Sequence, residues 1–177
     1  MRDESRTPRD LVFKGLDLIA DPLSSYVELR LRASWGKNWL SEARQRHDGL
    51  FANNGYLNRD VIMLLRTVDR CWTPAFRGAL GRTARAHVHE LIDIRNRLSH
   101  HESFSEDQAE RALSTMFLLM KAIGAEDCAS KLKKCGQIFC LLVMRHIRKR
   151  QSQFPKRPYR HRLRKWSDDV IALKMSG

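Results

Sequence analysis

The stretch from Ser105 to Gly124 limits the fold more than any other part of the chain. It opens on Ser105-Glu106-Asp107-Gln108, a serine and a glutamine three residues apart. That is the capping box with which a helix satisfies its first free N–H groups. Apolar residues then recur at Ala109, Ala112, Leu113, Met116, Phe117, Met120 and Ile123, the spacing that gathers one face of an α-helix. Gly124 follows, suited to the left-handed residue that ends a helix. A helix with one apolar face has to bury it against other elements, so the question is what the rest of the chain supplies.

The chain supplies further helices. Residues Met1 to Asp10 are read as frayed. Leu11 to Ala20 reads as a short helix, and Asp21-Pro22 as a restart, an N-cap residue followed by proline at the first helical position. Tyr26, Leu29, Ala33 and Leu40 then line one helix running towards His47. Asn53-Asn54-Gly55 marks a loop. Asn58 is expected to cap a third helix with the stripe Val61, Leu64, Leu65, Val68, which Trp72-Thr73-Pro74 breaks. Thr83 is expected to cap a fourth, with Val88, Leu91, Ile92 and Leu98 on its apolar side. A last helix starts near Glu126 and carries Cys128, Leu132, Cys135, Phe139, Leu142 and Val143. No segment alternates as a strand would. The expected fold is all-α, an antiparallel up-and-down bundle over residues 1–150 with a basic tail over 151–177.

With 42% hydrophobic and 30% charged residues the composition is that of a soluble globular chain rather than a disordered one. No apolar run is long enough to span a membrane, and Met1–Asp10 holds no signal-peptide core. A cytoplasmic protein without a membrane partner is expected. The four cysteines, Cys71, Cys128, Cys135 and Cys140, form no C-x-x-C pair and read as small buried apolar residues. Trp35, Trp39 and Trp72 fit either an interface or ordinary core.

The net charge of +13 is concentrated. From Cys128 to Ser167 there is no Asp or Glu, but thirteen lysines and arginines, Arg145, Arg148, Lys149, Arg150, Lys156, Arg157 and Arg160 among them. Phe154, Tyr159 and Trp166 are interleaved with them. Such a block is expected of a polyanion binder, or else is a solvated tail. Contact with a nucleic acid is expected from that charge; no helix-turn-helix signature points to DNA.

Where the fourth helix gives out, RNRLSHHESF (Arg95–Phe104) brings together Arg95, Asn96, His100 and His101. Arg95 continues the apolar stripe, and an unpaired buried charge is expensive. On a continuous helix Arg95 and His100 would be turned about 140° apart. They converge only if the helix ends or tightens near Ser99, or if a second copy supplies the other half. One chemistry for this set is RNA cleavage without metal. A neutral imidazole takes the 2′-hydroxyl proton, and the guanidinium fork holds the phosphate as charge builds on it. No carboxylate cluster offers a magnesium site, since Glu90 and Asp93 stand apart. The other reading is structural: an Arg95 ion pair to a neighbouring helix, with His100 capping a carbonyl.

Val88 to Ala125 resembles the HEPN superfamily of RNases, in particular the branch at the front of large bacterial ATPase-containing proteins. The residues that carry the likeness are Glu90-Leu91, Asp93, Arg95-Asn96, His100, Glu102 and Phe104, then Ala109, Ala112-Leu113, Thr115-Met116, Leu118-Leu119 and Ile123. Pro22, Tyr26 and Glu28 extend it to the first helices. The resemblance implies a bundle of HEPN type, usually a homodimer with two R-x4-H motifs facing one cleft. It implies a metal-independent endoribonuclease of toxin–antitoxin, phage-defence or RNA-guided systems, needing no cofactor, with an antitoxin or ATPase partner protein. Arg95, Asn96 and His100 become the catalytic set; His101 is an extra imidazole beside the motif and is read as an RNA contact, while the basic residues after Lys131 depart from the branch and are read as RNA contacts from their charge alone. The alternative is a catalytically inactive HEPN-type module that binds RNA or a protein partner.

Overall fold

The computed structural model describes residues 7–46 and 59–137. Helix α1 spans Pro8–Trp35, α2 Trp39–Arg46, α3 Val61–Arg70, α4 Arg82–Ser99 and α5 Glu106–Ala122, and residues 126–137 are again helical. Among the described residues there is no strand, as expected. Helix α1 packs against α3 and α5, and α4 packs against the same two, while α1 and α4 touch only slightly across the diagonal. The four form a bundle with cyclic order α1, α3, α4, α5, and α2 lies against α1. The expected boundary at residue 150, and the last helix beyond residue 137, lie outside the described residues.

The core is built from one stripe per helix. Val12, Leu16, Ile19, Leu23, Val27 and Leu31 of α1 face Leu64, Leu65 and Val68 of α3 and Met116, Leu119 and Met120 of α5, all buried. From α4 come Val88, Leu91, Ile94 and Leu98. Where α1 crosses α5, Gly15 sits so close that a Cβ there would lie 2.7 Å from Met116 Sδ and 2.9 Å from Leu113 Cδ2. Trp39 and Trp72 are core residues. The Arg46 guanidinium stacks 4.7 Å from the Trp35 ring centroid and Arg85 5.5 Å from that of Trp72.

Several local expectations are corrected. The first helix starts earlier, at Pro8, because Thr7 and Asp10 close a capping box with proline at N1. Asp21-Pro22 does not restart it: α1 runs through Pro22. A proline inside a helix removes the N–H that would bond the carbonyl four residues back. Here that carbonyl is Leu18, and the buried Cys128 thiol donates to it at 3.4 Å. The break comes instead at Gly36, whose φ of 58° only a glycine adopts easily, followed by a 3-10 turn over Gly36–Asn38. The stripe expected from Tyr26 and Leu29 turns accordingly; Leu29 is exposed and Val27 is buried. Asp60, not Asn58, caps α3 by accepting from the Ile62 N–H at 3.1 Å. Gly81 rather than Thr83 precedes α4, and Ile94 rather than Ile92 completes its stripe.

Polar ties hold the helices in register. Arg30 donates twice to the Ala75 carbonyl, at 3.2 and 3.0 Å, fastening α1 to the π-type turn Trp72–Phe76. Glu90 of α4 accepts from Arg111 and from the buried Thr115 hydroxyl of α5. Asp69 of α3 accepts from Arg85 at 3.0 Å and His89 at 2.6 Å on α4. Burial pushes the Asp69 carboxyl up, but the hydrogen bonds from His89 and Arg85 outweigh it and hold it below the usual carboxylate range. Burial raises the Cys71 thiol to about 11, which keeps it protonated and inert.

Two outcomes are expected. Gly15→Val overpacks the α1–α5 crossing and lowers stability by about 2 kcal/mol, read as a fall in Tm of roughly 4–8 °C. A depressed carboxyl stabilises the fold above its unfolded pKa and loses that contribution as pH falls through the folded one. Asp69→Asn is therefore expected to cost about 0.5–1 kcal/mol at neutral pH. In urea melts the difference from wild type should begin to shrink as pH falls below about 4 and vanish only below the depressed pKa of the folded state.

Candidate active site

Helix α4 stops at Ser99, between the arginine and the histidines. His100 is the C-cap, with φ −85° and ψ 13°, and its N–H reaches the Asn96 carbonyl. His101 follows at φ 56°, alone among described non-glycine residues in having a positive φ. Its N–H bonds the Leu98 carbonyl at 3.2 Å, and the Glu102 N–H bonds that of Arg97 at 3.2 Å. That pair of bonds is a Schellman closure, in which the left-handed residue is ordinarily glycine. Helix α5 ends in the same way with Gly124 at φ 77°. A histidine in the glycine position carries backbone strain of about 1–2 kcal/mol.

The corner is braced from both sides. Arg97 donates to Glu102 at 2.9 Å and to Gln108 at 3.3 Å and lies 4.6 Å from the Phe104 ring centroid. Phe104 is buried and Ser105 caps α5. Glu102 and Phe104, both in the family-like stretch, therefore hold the turn. On the other side Arg9, from the first turn of α1, donates through one nitrogen to the Leu98 carbonyl and to His101 Nδ1, each at 3.1 Å. A guanidinium has no lone pair to offer, so this bond needs Nδ1 unprotonated and leaves the proton of a neutral ring on Nε2. The Arg9 Nε is buried with no partner among the described residues.

Beside this corner lies a cleft of about 310 Å³ lined by Arg9, Phe13, Leu16, Asp17, Ala20, Arg59, Asp60, Val61, Arg95 and Leu98. Arg95 does not sit in the core as its place on the stripe implied. Its side chain is 30% exposed, donates to the Ser99 hydroxyl and pairs with Asp60 at 3.7 Å. The stripe runs through Ile94, one residue earlier, so Arg95 falls at the core's edge and opens onto the cleft. Asp60 is held twice, by Arg95 and as the α3 cap. The starts of α1 and α3 both reach this end, adding the partial positive charge of helix N-termini to three arginines.

The expected residues are thus only partly assembled. Arg95 lines the cleft, and His101 is tied to it through Arg9. Asn96 is half-buried and makes no side-chain hydrogen bond among the described residues. His100 is exposed, and no hydrogen bond joins it to Arg95. Arg145, Arg148, Lys149, Arg150, Lys156, Arg157 and Arg160 lie outside the described residues. Arg9, Arg59 and Asp60 were not foreseen. Thr7-Pro8-Arg9-Asp10 is itself a capping-box pattern with proline at N1, and reading it as one would have drawn Arg9 into the bundle. Among the described residues no three His, Cys, Asp or Glu side chains are grouped so as to hold a metal ion, and no helix is long and apolar enough to cross a membrane.

The family model described as Swt1-like HEPN matches residues 14–124. The chain belongs to the HEPN superfamily. No curated protein and no solved structure matches it. The match takes in Asp60 and the whole corner from Arg95 to Phe104, whereas Arg9 and Phe13 stand ahead of it. Membership accords with an RNA-related function and with the all-helical bundle.

If His101 is kept at the helix end for its ring, glycine there should make a better protein and a worse site. His101→Gly is expected to raise Tm by about 2–4 °C through release of roughly 1 kcal/mol of strain. Differential scanning calorimetry checks this. A fall in Tm would mean that the Arg9 contact outweighs the strain.

Proposed function

We propose that this HEPN domain is a metal-independent endoribonuclease acting at the cleft beside the end of α4. The observation that supports this best is Arg95, a partly exposed guanidinium in an open cleft, on the helix whose end is followed directly by His100 and His101. In this reading Arg95 holds two non-bridging oxygens of the scissile phosphate and offsets the charge that grows on them. The neutral His100 imidazole takes the proton from the ribose 2′-hydroxyl, and Asn96 orients the phosphate. The 2′-oxygen forms a bond to phosphorus as the bond to the 5′-oxygen breaks. That oxygen leaves with a proton, and a 2′,3′-cyclic phosphate remains. A substrate without the 2′-hydroxyl cannot react, which makes RNA the target.

His101 and the basic residues Arg145 to Arg160 are proposed to hold flanking phosphates. The proposal extends to a cytoplasmic homodimer with the two clefts opposed, acting as a toxin or phage-defence effector under an antitoxin or ATPase partner. A second reading has its own support: Arg95 is tied to Ser99 and Asp60, and His100 stands free of it. That arrangement suits a catalytically silent module that binds RNA or a protein partner.

RNA incubated with the purified chain in EDTA separates the two. Cleavage is expected, leaving 2′,3′-cyclic phosphate ends, and Arg95→Ala and His100→Ala should each reduce the rate by at least about a hundredfold. Salt-sensitive binding with no product would favour the silent module. Cleavage that survives the double substitution would sink the assigned chemistry.

A further inference from the structure

Phe13 is 65% exposed on α1, about as much as Leu29 at 64%, and of the two only Phe13 lines the cleft. It sits one helical turn beyond Arg9, on the same face, and lines the cleft with Arg9, Arg59 and Arg95. Five of the ten lining residues are charged, and the apolar ones near the ring, Leu16, Val61 and Leu98, are already buried in the core. Contiguous exposed apolar patches of several hundred Å² are what mark a protein interface. Here there is a single ring among guanidiniums.

We propose that Phe13 is the base platform of the cleft, stacking on an unpaired base of single-stranded RNA while Arg9, Arg59 and Arg95 face the adjoining phosphates. The proposal rests on the reading of RNA as the ligand and adds the form of RNA taken. An aromatic face next to cationic groups is how single strands are held without sequence readout, because every base has a π-face and every linkage a charge. A duplex keeps its base faces stacked on each other and offers none to the ring. Two carboxylates, Asp17 and Asp60, also line the cleft. Asp60 is neutralised by Arg95 and the Ile62 N–H. With Arg95 so engaged, Arg9 and Arg59 outnumber Asp17 by one, and Asp17 repels phosphate from its own side of the ring.

The test uses the full chain and a 2′-O-methyl RNA 12-mer, which cannot be cleaved, so that binding is read apart from chemistry. In fluorescence anisotropy Phe13→Ala is expected to weaken binding about tenfold. Phe13→Trp should keep wild-type affinity, with its added emission quenched by the oligomer. An abasic strand of equal length should bind wild type and Phe13→Ala alike. A duplex should bind more weakly and without dependence on Phe13. The exposed position predicts an unchanged Tm for both variants. Equal binding of the 12-mer by wild type and Phe13→Ala overturns the platform and leaves the RNA reading standing. No binding by wild type at low salt overturns both. A dimer that falls to monomer with Phe13→Ala in analytical ultracentrifugation assigns the ring to a contact between copies and overturns the platform as well.

Discussion

The His101 imidazole at the end of α4 depends for its orientation on one bond donor, the Arg9 guanidinium. It holds the Leu98 carbonyl, which the closing helix leaves partly unsatisfied, and the ring of the residue that closes it. A helix end exposes free carbonyls and the negative end of its dipole, and a cation there stabilises both. Without that anchor the corner would still have its backbone bonds, but His101 would have no fixed ring orientation. The strain in His101 and the buried Arg9 Nε, which has no partner among the described residues, are two costs borne at the same place. Both are carried where the bundle gathers its chemically capable groups, and strain of this kind persists only where surrounding packing over-determines it.

That packing comes from far away in sequence. Arg9 lies 89 residues before Leu98, and what brings it there is the α1–α5 crossing at Gly15 and the contact of α4 with α5. The single long α1 matters here. Had Asp21-Pro22 divided it, its first turns would have been free to tilt independently of Val27 and Leu31. The Cys128 thiol on the Leu18 carbonyl meets the bond that Pro22 leaves vacant, so residues 126–137 help keep the first turn of α1 in line with the cleft.

The stretch from Arg95 to Phe104 could be read closely because local rules govern it. The capping box at Ser105 obliges the preceding helix to end ahead of it, and α4 stops at Ser99, where the arginine and the histidines needed a break. The stripe of α5 was legible in the main: Ala109, Ala112, Leu113, Met116 and Met120 are buried as their 3.6-residue period implied, whereas Phe117 and Ile123 are half-buried and Leu119 takes a core place instead. The stripe of α4 slipped from Ile92 to Ile94 because Ile92, Ile94 and Leu91 cluster within one turn and periodicity alone cannot rank them. That slip is what placed Arg95 in the core on paper and at the cleft's edge in the fold.

The order of residues by itself determined that the chain is helical, where α5 begins and ends, and that an arginine and two histidines flank a helix terminus. Those follow from interactions within about four residues, which the sequence states directly. Only the tertiary structure decided that α1 passes unbroken through a proline, that Arg9 reaches across to His101, and that Arg59, Asp60 and Phe13 share a cleft with Arg95. Each of these is a contact between distant segments, set by how four apolar stripes close around one core, and no local spacing encodes it.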